Sequence, residues 1–509
     1  MRIIRNIVTI SGFTFISRIF GLIRESMISH LLGASIVTDA FFVAFKFPNF
    51  FRRIFAEGAF NAAFVPLFSR KLVSDGREGA KELAEQIFSV MMVFLTIFVA
   101  LVVIFTPSII HILAPGFATT PERMELAITF TRITFPYILF ISLAAHLSGV
   151  LNSFDRFAAA AGIPILLNIV MISALLICPY TGITFGEGLS IAVALAGIIQ
   201  LSWLYVACWR MDFRIRFRRP RITPEVKELL RLMLPGAIGA GVMNINIFID
   251  TIIASYLPEK SVSYIFYADR LNQLPLSILG IAIGTALLPM LSRQLKSGEH
   301  EKALKNKRLA TEVALQLTLP SAVGLAILSY PIIHLIYGLS ETDTQATAMA
   351  LAAFALGIPA YVLNKVLITG FFARQDTKTP VKIAVSCIIL NLALNLIFIE
   401  HFAHVGLALS TSLSAWANTV ILYIVLKKRN WFSLDASFYK NISVISLIAV
   451  VMGLALRAID SNFVIANASF LQQLVYVIAQ VLCGASIYFI LGLVTHQISF
   501  NRLRSLLAK

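Results

Sequence analysis

Five arginines stand where arginine is costly. Arg18, Arg24, Arg52, Arg53 and Arg270 each interrupt a run of apolar residues. A charge at the middle of a bilayer costs about 2.5–3.5 kcal/mol even on the lenient insertion scale. What arginine offers in return is a planar fork of donors that meets phosphate oxygens two at a time. Lys46, Arg132 and Lys365 bring the intramembrane cations to eight, against the five acids Glu25, Asp39, Glu57, Asp250 and Asp269. Part of this charge can be neutralised locally. Arg53 and Glu57 are i,i+4 neighbours, and Arg18 and Glu25, seven apart, share a helix face. The surplus of cations implies an anionic ligand bearing phosphate or pyrophosphate.

The stretch that must present these groups is Thr38 to Gly58, TDAFFVAFKFPNFFRRIFAEG. It is apolar enough to span a membrane, yet it carries five charges and Pro48, which removes a backbone donor and disfavours helix at Phe47. Broken backbone and charge at that depth are tolerated only against protein or a water-filled cavity. The helix is therefore expected to line a wet, net-positive cavity.

The rest of the chain fits a polytopic membrane protein. Of its 509 residues 58% are hydrophobic and 13% charged, where a soluble chain carries about 25% charged residues. At about 20 apolar residues per span, fourteen spanning helices are expected, from 7–30 through 84–112, 125–152, 379–399 and 405–426 to 471–495. The first run reads as a spanning helix rather than a signal peptide, because Arg18 and Arg24 interrupt it. Lys and Arg alternate between loops: 31 fall on the side of both termini and three, Arg123, Lys260 and Arg457, on the other. The positive-inside rule then places both termini in the cytoplasm. The net charge of +16, including the run RIRFRRPR at 214–221, is read as topology and lipid headgroups and not as a nucleic-acid surface, since no soluble domain exists to hold a duplex. The four cysteines, Cys178, Cys208, Cys387 and Cys483, show no metal spacing and read as buried thiols. There is no P-loop, HExxH or nucleophile elbow, and the eight histidines are scattered. No enzyme is expected, and any energy input is an ion gradient or the membrane potential.

The chain also repeats itself. FVPLFSRKLVS at 64–74 aligns without gaps to LLPMLSRQLKS at 287–297, an offset of 223 that also carries Pro136 to Pro359 and Asn168 to Asn391. Each unit holds six helices, so both keep one orientation, and parallel repeats of this kind place a substrate site between them. The expected architecture is all-α: two pseudo-symmetric six-helix lobes, 1–220 and 221–430, and a segment 431–509 with two further helices outside the repeat.

Four segments make a resemblance specific. TDAFFVAFKFPNFFRRIFAEGAF, APGFA (114–118), YADRLNQLP (267–275) and RQDTKTPVKIA (374–384) resemble the MurJ (MviN) family of lipid II flippases, within the multidrug/oligosaccharidyl-lipid/polysaccharide exporter superfamily. The resemblance runs over nearly the whole chain. It implies export of lipid II, an undecaprenyl-pyrophosphate-linked sugar-peptide, across the bacterial inner membrane. The family's cavity residues fall on Arg18, Arg24, Asp39, Arg52, Arg53, Glu57, Ser263 and Arg270; some members have an acid where this chain has Gln273. Residue types also suggest a sodium site. Asn391 and Asn395 are i,i+4 on one helix face, and Asp250 and Thr411 add hard oxygens. The resemblance implies the Leu407 carbonyl as the remaining ligand. The plainer alternative is that these polar groups hydrogen-bond across helices. No other cofactor is expected. Competing functions are export of another polyprenyl-pyrophosphate oligosaccharide, a drug or cation antiporter, which should carry an excess of intramembrane acids, and a non-transporting scaffold.

Overall fold

The computed structural model describes residues 2–52, 60–460 and 469–497, with side chains described from residue 12 onward except at 237–240, 242–244, 277–286 and 460. The regular elements described are all helical. Contacts divide the chain into two compact units, Met1–Ser263 and Tyr264–Lys509. The first holds α1 (Arg2–Leu32), α2 (Ile36–Phe51), α3 (Phe60–Ser74), α4 (Gly76–Ile104), α5 (Thr106–Leu113), a 3-10 turn (Pro115–Thr119), α6 (Pro121–Thr134), α7 (Tyr137–Ser153), α8 (Phe157–Ala161), α9 (Ile163–Thr181), α10 (Phe185–Trp209) and α11 (Pro224–Ser255). After α12 (Ser261–Lys296), which opens at the boundary, come α13 (His300–Ile327), α14 (Ser329–Tyr337), α15 (Glu341–Ala355), α16 (Ile358–Phe372), α17 (Lys378–Lys428), α18 (Ala436–Asp460) and α19 (Phe470–Val494).

The sequence repeat reappears as matched helix breaks. Between α4 and α5 the chain leaves the helix at Phe105 (φ −89°, ψ 9°); between α13 and α14 it does so at Leu328 (φ −89°, ψ 14°), which lies 223 residues on. The α6–α7 run breaks at Phe135-Pro136 and the α15–α16 run at Gly357, just before Pro359. Each second segment carries a proline at its N-terminal end, Pro107, Pro136, Pro331 and Pro359, where the missing N–H would have bonded back into the helix before it. The expected span 84–112 thus begins earlier, at Gly76, and is two segments. α17 is likewise two helices. Ala403 (φ 47°, ψ −126°) interrupts it, and Ser414 Oγ donates to the Cys387 carbonyl at 2.7 Å, joining the two segments side by side.

Compactness and repeat divide the chain differently. α11 opens the second repeat but packs on α3, α4, α5 and the 115–119 turn. The reason is close backbone approach: a Cβ on Gly116 would lie 2.3 Å from the Ser255 carbonyl oxygen, and the Gly116 N–H donates to Ser255 Oγ at 3.1 Å.

Nine helical runs among the described residues are long and apolar enough to cross a membrane. Their outer faces leave Ile104, Leu176, Leu447, Leu454, Leu482 and Ile490 half exposed or more. Apolar surface of that extent is stable only against lipid, so this is a multi-pass membrane protein.

Two polar connections have a structural role. In RQDTKTP (374–380), Asp376 accepts from the Thr379 N–H and hydroxyl at 3.0 and 2.6 Å and from Arg429 at 2.6 Å. Those hydrogen bonds, Thr379 first and then Arg429, push its carboxyl down to about 2, so the clamp stays ionised at neutral pH. The basic run 214–221 is only partly free for headgroups. Its backbone lies along α4, with the Arg216 N–H on Glu85 at 3.1 Å and the Arg218 N–H on Ser89 at 2.8 Å, while the Arg218 side chain pairs with Glu82 and Glu85.

Candidate functional site

Arg24 is one of the five arginines singled out by the sequence. It lies on α1, 4% exposed, beside Glu25, which has no exposed surface. Its Nη2 donates to Glu25 Oε1 at 2.6 Å and its Nη1 to Asn168 Oδ1 at 2.7 Å. Asn168, on α9, donates in turn to the Ser17 carbonyl at 3.0 Å, about two helix turns back along α1. The guanidinium also stands over the Phe45 ring at 5.7 Å. An isolated charge could not be held here, but one with charge-assisted partners on two sides can. The Arg24 pose is therefore fixed before any ligand arrives, and an incoming anion competes with the Glu25 carboxylate for one edge of the fork.

Arg18 is half-buried on α1, and Arg52 is half-buried at the C-terminal end of α2, where its Nε donates to Asn49 Oδ1 at 3.1 Å. Arg53 and Glu57 lie outside the described residues. In the second unit, Arg270 is half-buried on α12, and its neighbour Asp269 accepts from Gln273. That hydrogen bond gives the amide at 273 a local role in place of an acid.

Asp39 does not line open space. It sits in the first turn of α2 with no exposed surface. Its Oδ2 accepts from Arg123 Nη2 at 2.6 Å and from the Lys260 N–H at 2.8 Å. Its Oδ1 accepts from the Ser263 N–H at 2.8 Å and hydroxyl at 2.6 Å, and Ser263 Oγ reaches Thr38 at 2.9 Å. Asp39 thus caps the turn that opens α12 in the way an N-cap side chain does. Arg123, read from sequence as an outer loop charge, is instead 2% exposed, with its guanidinium 3.8 Å above the Phe117 ring of APGFA. Lys307, also assigned to a loop, is 2% exposed on α13, with Nζ 4.7 Å over Phe432.

Of the sodium set, Asp250 on α11 accepts from Asn246 at 3.3 Å. In the second unit Asn395 donates to Asn391 Oδ1 at 3.1 Å, and Thr411 Oγ1 donates to the Leu407 carbonyl at 2.8 Å. Asn391 and Asn395 are 1% and 0% exposed. The Cys387–Ser414 hydrogen bond and the close passage of Gly406 against the Phe398 carbonyl bracket all four residues between the two segments of α17. These are neutral oxygen donors, a set suited to a hard cation. Among the described residues no three His, Cys, Asp or Glu side chains gather.

Sequence reasoning noted Asn168 only as a repeat match, and missed that it orients Arg24. The signal was available: an amide in the middle of an otherwise apolar α9 needs a polar partner.

The family model described as lipid II flippase MurJ matches residues 28–476. A probable lipid II flippase MurJ of Rhizobium meliloti is 40% identical over 463 residues, covering 90% of this chain and 86% of the relative. A lipid II flippase MurJ of Burkholderia cenocepacia is 36% identical over 439 residues, 84% of each. Among solved structures, a lipid II flippase MurJ in an inward closed conformation superposes with a TM-score of 0.81 at 27% identity, covering 96% of this chain and 99% of that one. An inward-facing multidrug resistance MATE family transporter of the MOP superfamily shares the fold with a TM-score of 0.66 at 17% identity, covering 83% of this chain and 98% of that one. Homology across nine-tenths of its length makes this chain a member of the lipid II flippase MurJ family.

Proposed function

We propose that the protein carries lipid II from the cytoplasmic to the outer face of the bacterial inner membrane by alternating access, supplying peptidoglycan synthesis. The observation that carries the reading is the family match over residues 28–476. The headgroup is the anionic pyrophosphate-sugar-peptide, and Arg18, Arg24, Arg52, Arg53 and Arg270 are its phosphate contacts. Glu57 is proposed as an acid of the same site, and Asp39 and Ser263, buried against each other and Arg123, are proposed to act in transport without touching the phosphate. Fourteen spans are proposed: the nine apolar runs, α17 counted as two, and α1, α2–α3, α11 and α12. α1, α11 and α12 are 31, 32 and 36 residues long, and at 1.5 Å per residue each exceeds a hydrocarbon core of about 30 Å. Both termini are placed in the cytoplasm by the excess of Lys and Arg on their side. The test is growth rescue of a strain depleted of its own lipid II flippase. Rescue is expected, and a well-expressed protein that never rescues growth would remove lipid II as the substrate.

The polyprenyl tail is assigned to α18 and α19. They carry no counterpart in the repeat, and with α13 they wall a cavity of about 390 Å³ lined by Pro320, Leu325, Met452, Leu456, Val481 and Phe489. Photo-crosslinkers at Leu456 and Val481 are expected to capture the lipid chain. Capture of the sugar-peptide alone would reverse the assignment.

Sodium is proposed as the coupling ion, bound by Asp250, Asn391, Asn395, Thr411 and the Leu407 carbonyl. The buried amide pair and the adjacent hydroxyl support it. A bound ion at a hundredfold excess over Kd stabilises by about 2.7 kcal/mol. Sodium should therefore raise the Tm of purified protein where potassium does not, and the shift should vanish in Asp250→Ala and Asn395→Ala. A wild-type protein indifferent to sodium leaves the membrane potential or substrate flux as the driving force.

A further inference from the structure

At one end of the first unit a cleft of about 470 Å³ opens between α1, α7, α8 and α10. That size lies within the range of roughly 300–1,000 Å³ for small-molecule sites. Its walls are apolar, from Phe13, Leu151, Trp203 and Val206, and its rim carries Asp155, Arg156 and Arg210. Phe13 closes the back of the cleft against Gly162, whose Cβ position lies 3.8 Å from the ring.

The rim is held by two copies of one helix ending. Asp155 (φ 59°) donates its N–H to the Asn152 carbonyl at 3.1 Å, and Arg156 donates to Leu151 at 2.9 Å. Asp212 (φ 57°) and Phe213 make the same pair of bonds to Trp209 and Cys208, at 2.9 and 3.1 Å. These are Schellman-type closures with aspartate in the left-handed position, and they fix where the chain leaves α7 and α10. Arg156 and Arg210 are exposed, at the ends of apolar runs that finish at Ser153 and Trp209. The rim is thus at headgroup depth and the walls at acyl-chain depth. Trp203 donates its Nε1–H to the Ala159 carbonyl at 3.2 Å, as tryptophans do at the membrane boundary.

We propose that this cleft binds one anionic phospholipid of the adjoining leaflet, its phosphate between Arg156 and Arg210 and one acyl chain against Phe13, Trp203 and Val206. Two arginines against one aspartate leave the rim with a single positive charge, which matches a headgroup of net charge −1 and not a zwitterion. The site shares no residue with the arginines assigned to lipid II, so its failure and theirs are separable.

The test measures lipid binding to purified protein in detergent by native mass spectrometry, with Tm as a second readout. Phosphatidylglycerol is expected to bind more tightly than phosphatidylcholine and to raise the Tm; inorganic phosphate at the same concentration should not. Each surface arginine contributes about 1 kcal/mol of attraction to anionic lipid, so Arg156→Gln with Arg210→Gln should weaken phosphatidylglycerol about thirtyfold and leave phosphatidylcholine unchanged. Ala207→Phe, which fills the cleft, should remove the bound lipid without altering the rim charge. Equal affinity for the two lipids, retained binding in the double Gln variant, or an equal effect of inorganic phosphate would each overturn the proposal. Growth rescue by both variants is expected to persist.

Discussion

Arg24→Ala is expected to abolish growth rescue in a flippase-depleted strain, and Arg24→Lys to restore the amount of folded protein but little of the rescue. The two variants separate two roles of one side chain. Arg24 neutralises the buried Glu25 at 2.6 Å, and removing it leaves that carboxylate without its guanidinium, a change that destabilises buried pairs by about 3–5 kcal/mol. Lysine returns the charge and hence most of the stability. It does not return the fork, because an ammonium is a point charge that cannot hold Asn168 and an anion in one plane. A hydrogen bond to a charged group contributes about 1.5–3 kcal/mol, so the loss is roughly one to two powers of ten in affinity for the pyrophosphate. Arg18→Ala, Arg52→Ala and Arg270→Ala are expected to fail in rescue at near-normal membrane levels. Asn168→Leu should behave like Arg24→Lys, since Asn168 Oδ1 aims the guanidinium at 2.7 Å. Rescue by all four single alanine variants would remove the arginines from substrate binding. Rescue by Arg24→Lys alone would reduce Arg24 to a counter-ion for Glu25.

The parts of this architecture legible in the sequence are those set by local rules. Pro136 and Pro359 mark helix breaks because a proline lacks the N–H that would bond back into the preceding helix, and the offset of 223 that joins them also joins the Phe105 and Leu328 breaks, which sequence alone did not reveal. Those two breaks carry no proline at the non-helical residue itself, only two or three residues further on, at Pro107 and Pro331. Charge depth was read less well. Arg123 and Lys307 fall just outside the apolar runs that begin at 125 and 309, which places them in loops by sequence, yet both are buried, one against Asp39 and Phe117 and the other against Phe432. Asp39 lies 84 residues from Arg123 and Phe432 lies 125 from Lys307, and no periodicity or propensity encodes a pairing at that range. Asp39 was legible as an intramembrane acid for the same reason that its role was not: its burial was visible, and its partners were not.

Breaking the Asp39–Arg123 pair is expected to have the largest effect on stability of any single substitution in the first unit. The carboxylate gathers four donors within 2.8 Å, two of them backbone N–H groups of Lys260 and Ser263. Asp39→Ala strands the Arg123 guanidinium at 2% exposure and leaves the turn that opens α12 without its cap. The first change costs about 3–5 kcal/mol and a lost cap about 1 kcal/mol more. Arg123→Met strands the carboxylate but keeps the cap, so it should cost less. Asp39→Ala combined with Arg123→Met removes both charges, and its Tm should lie close to that of the worse single variant instead of at the sum, a coupling of roughly 1–3 kcal/mol. The cycle also decides what Asp39 does in transport. A residue that only touches substrate loses rescue without loss of Tm. A latch loses both together, and the double variant, whose loss of Tm is no greater than that of the worse single variant, still fails to rescue if the latch must open and close on each cycle. Additive losses across the cycle would show that the ion pair, for all its short contacts, couples nothing.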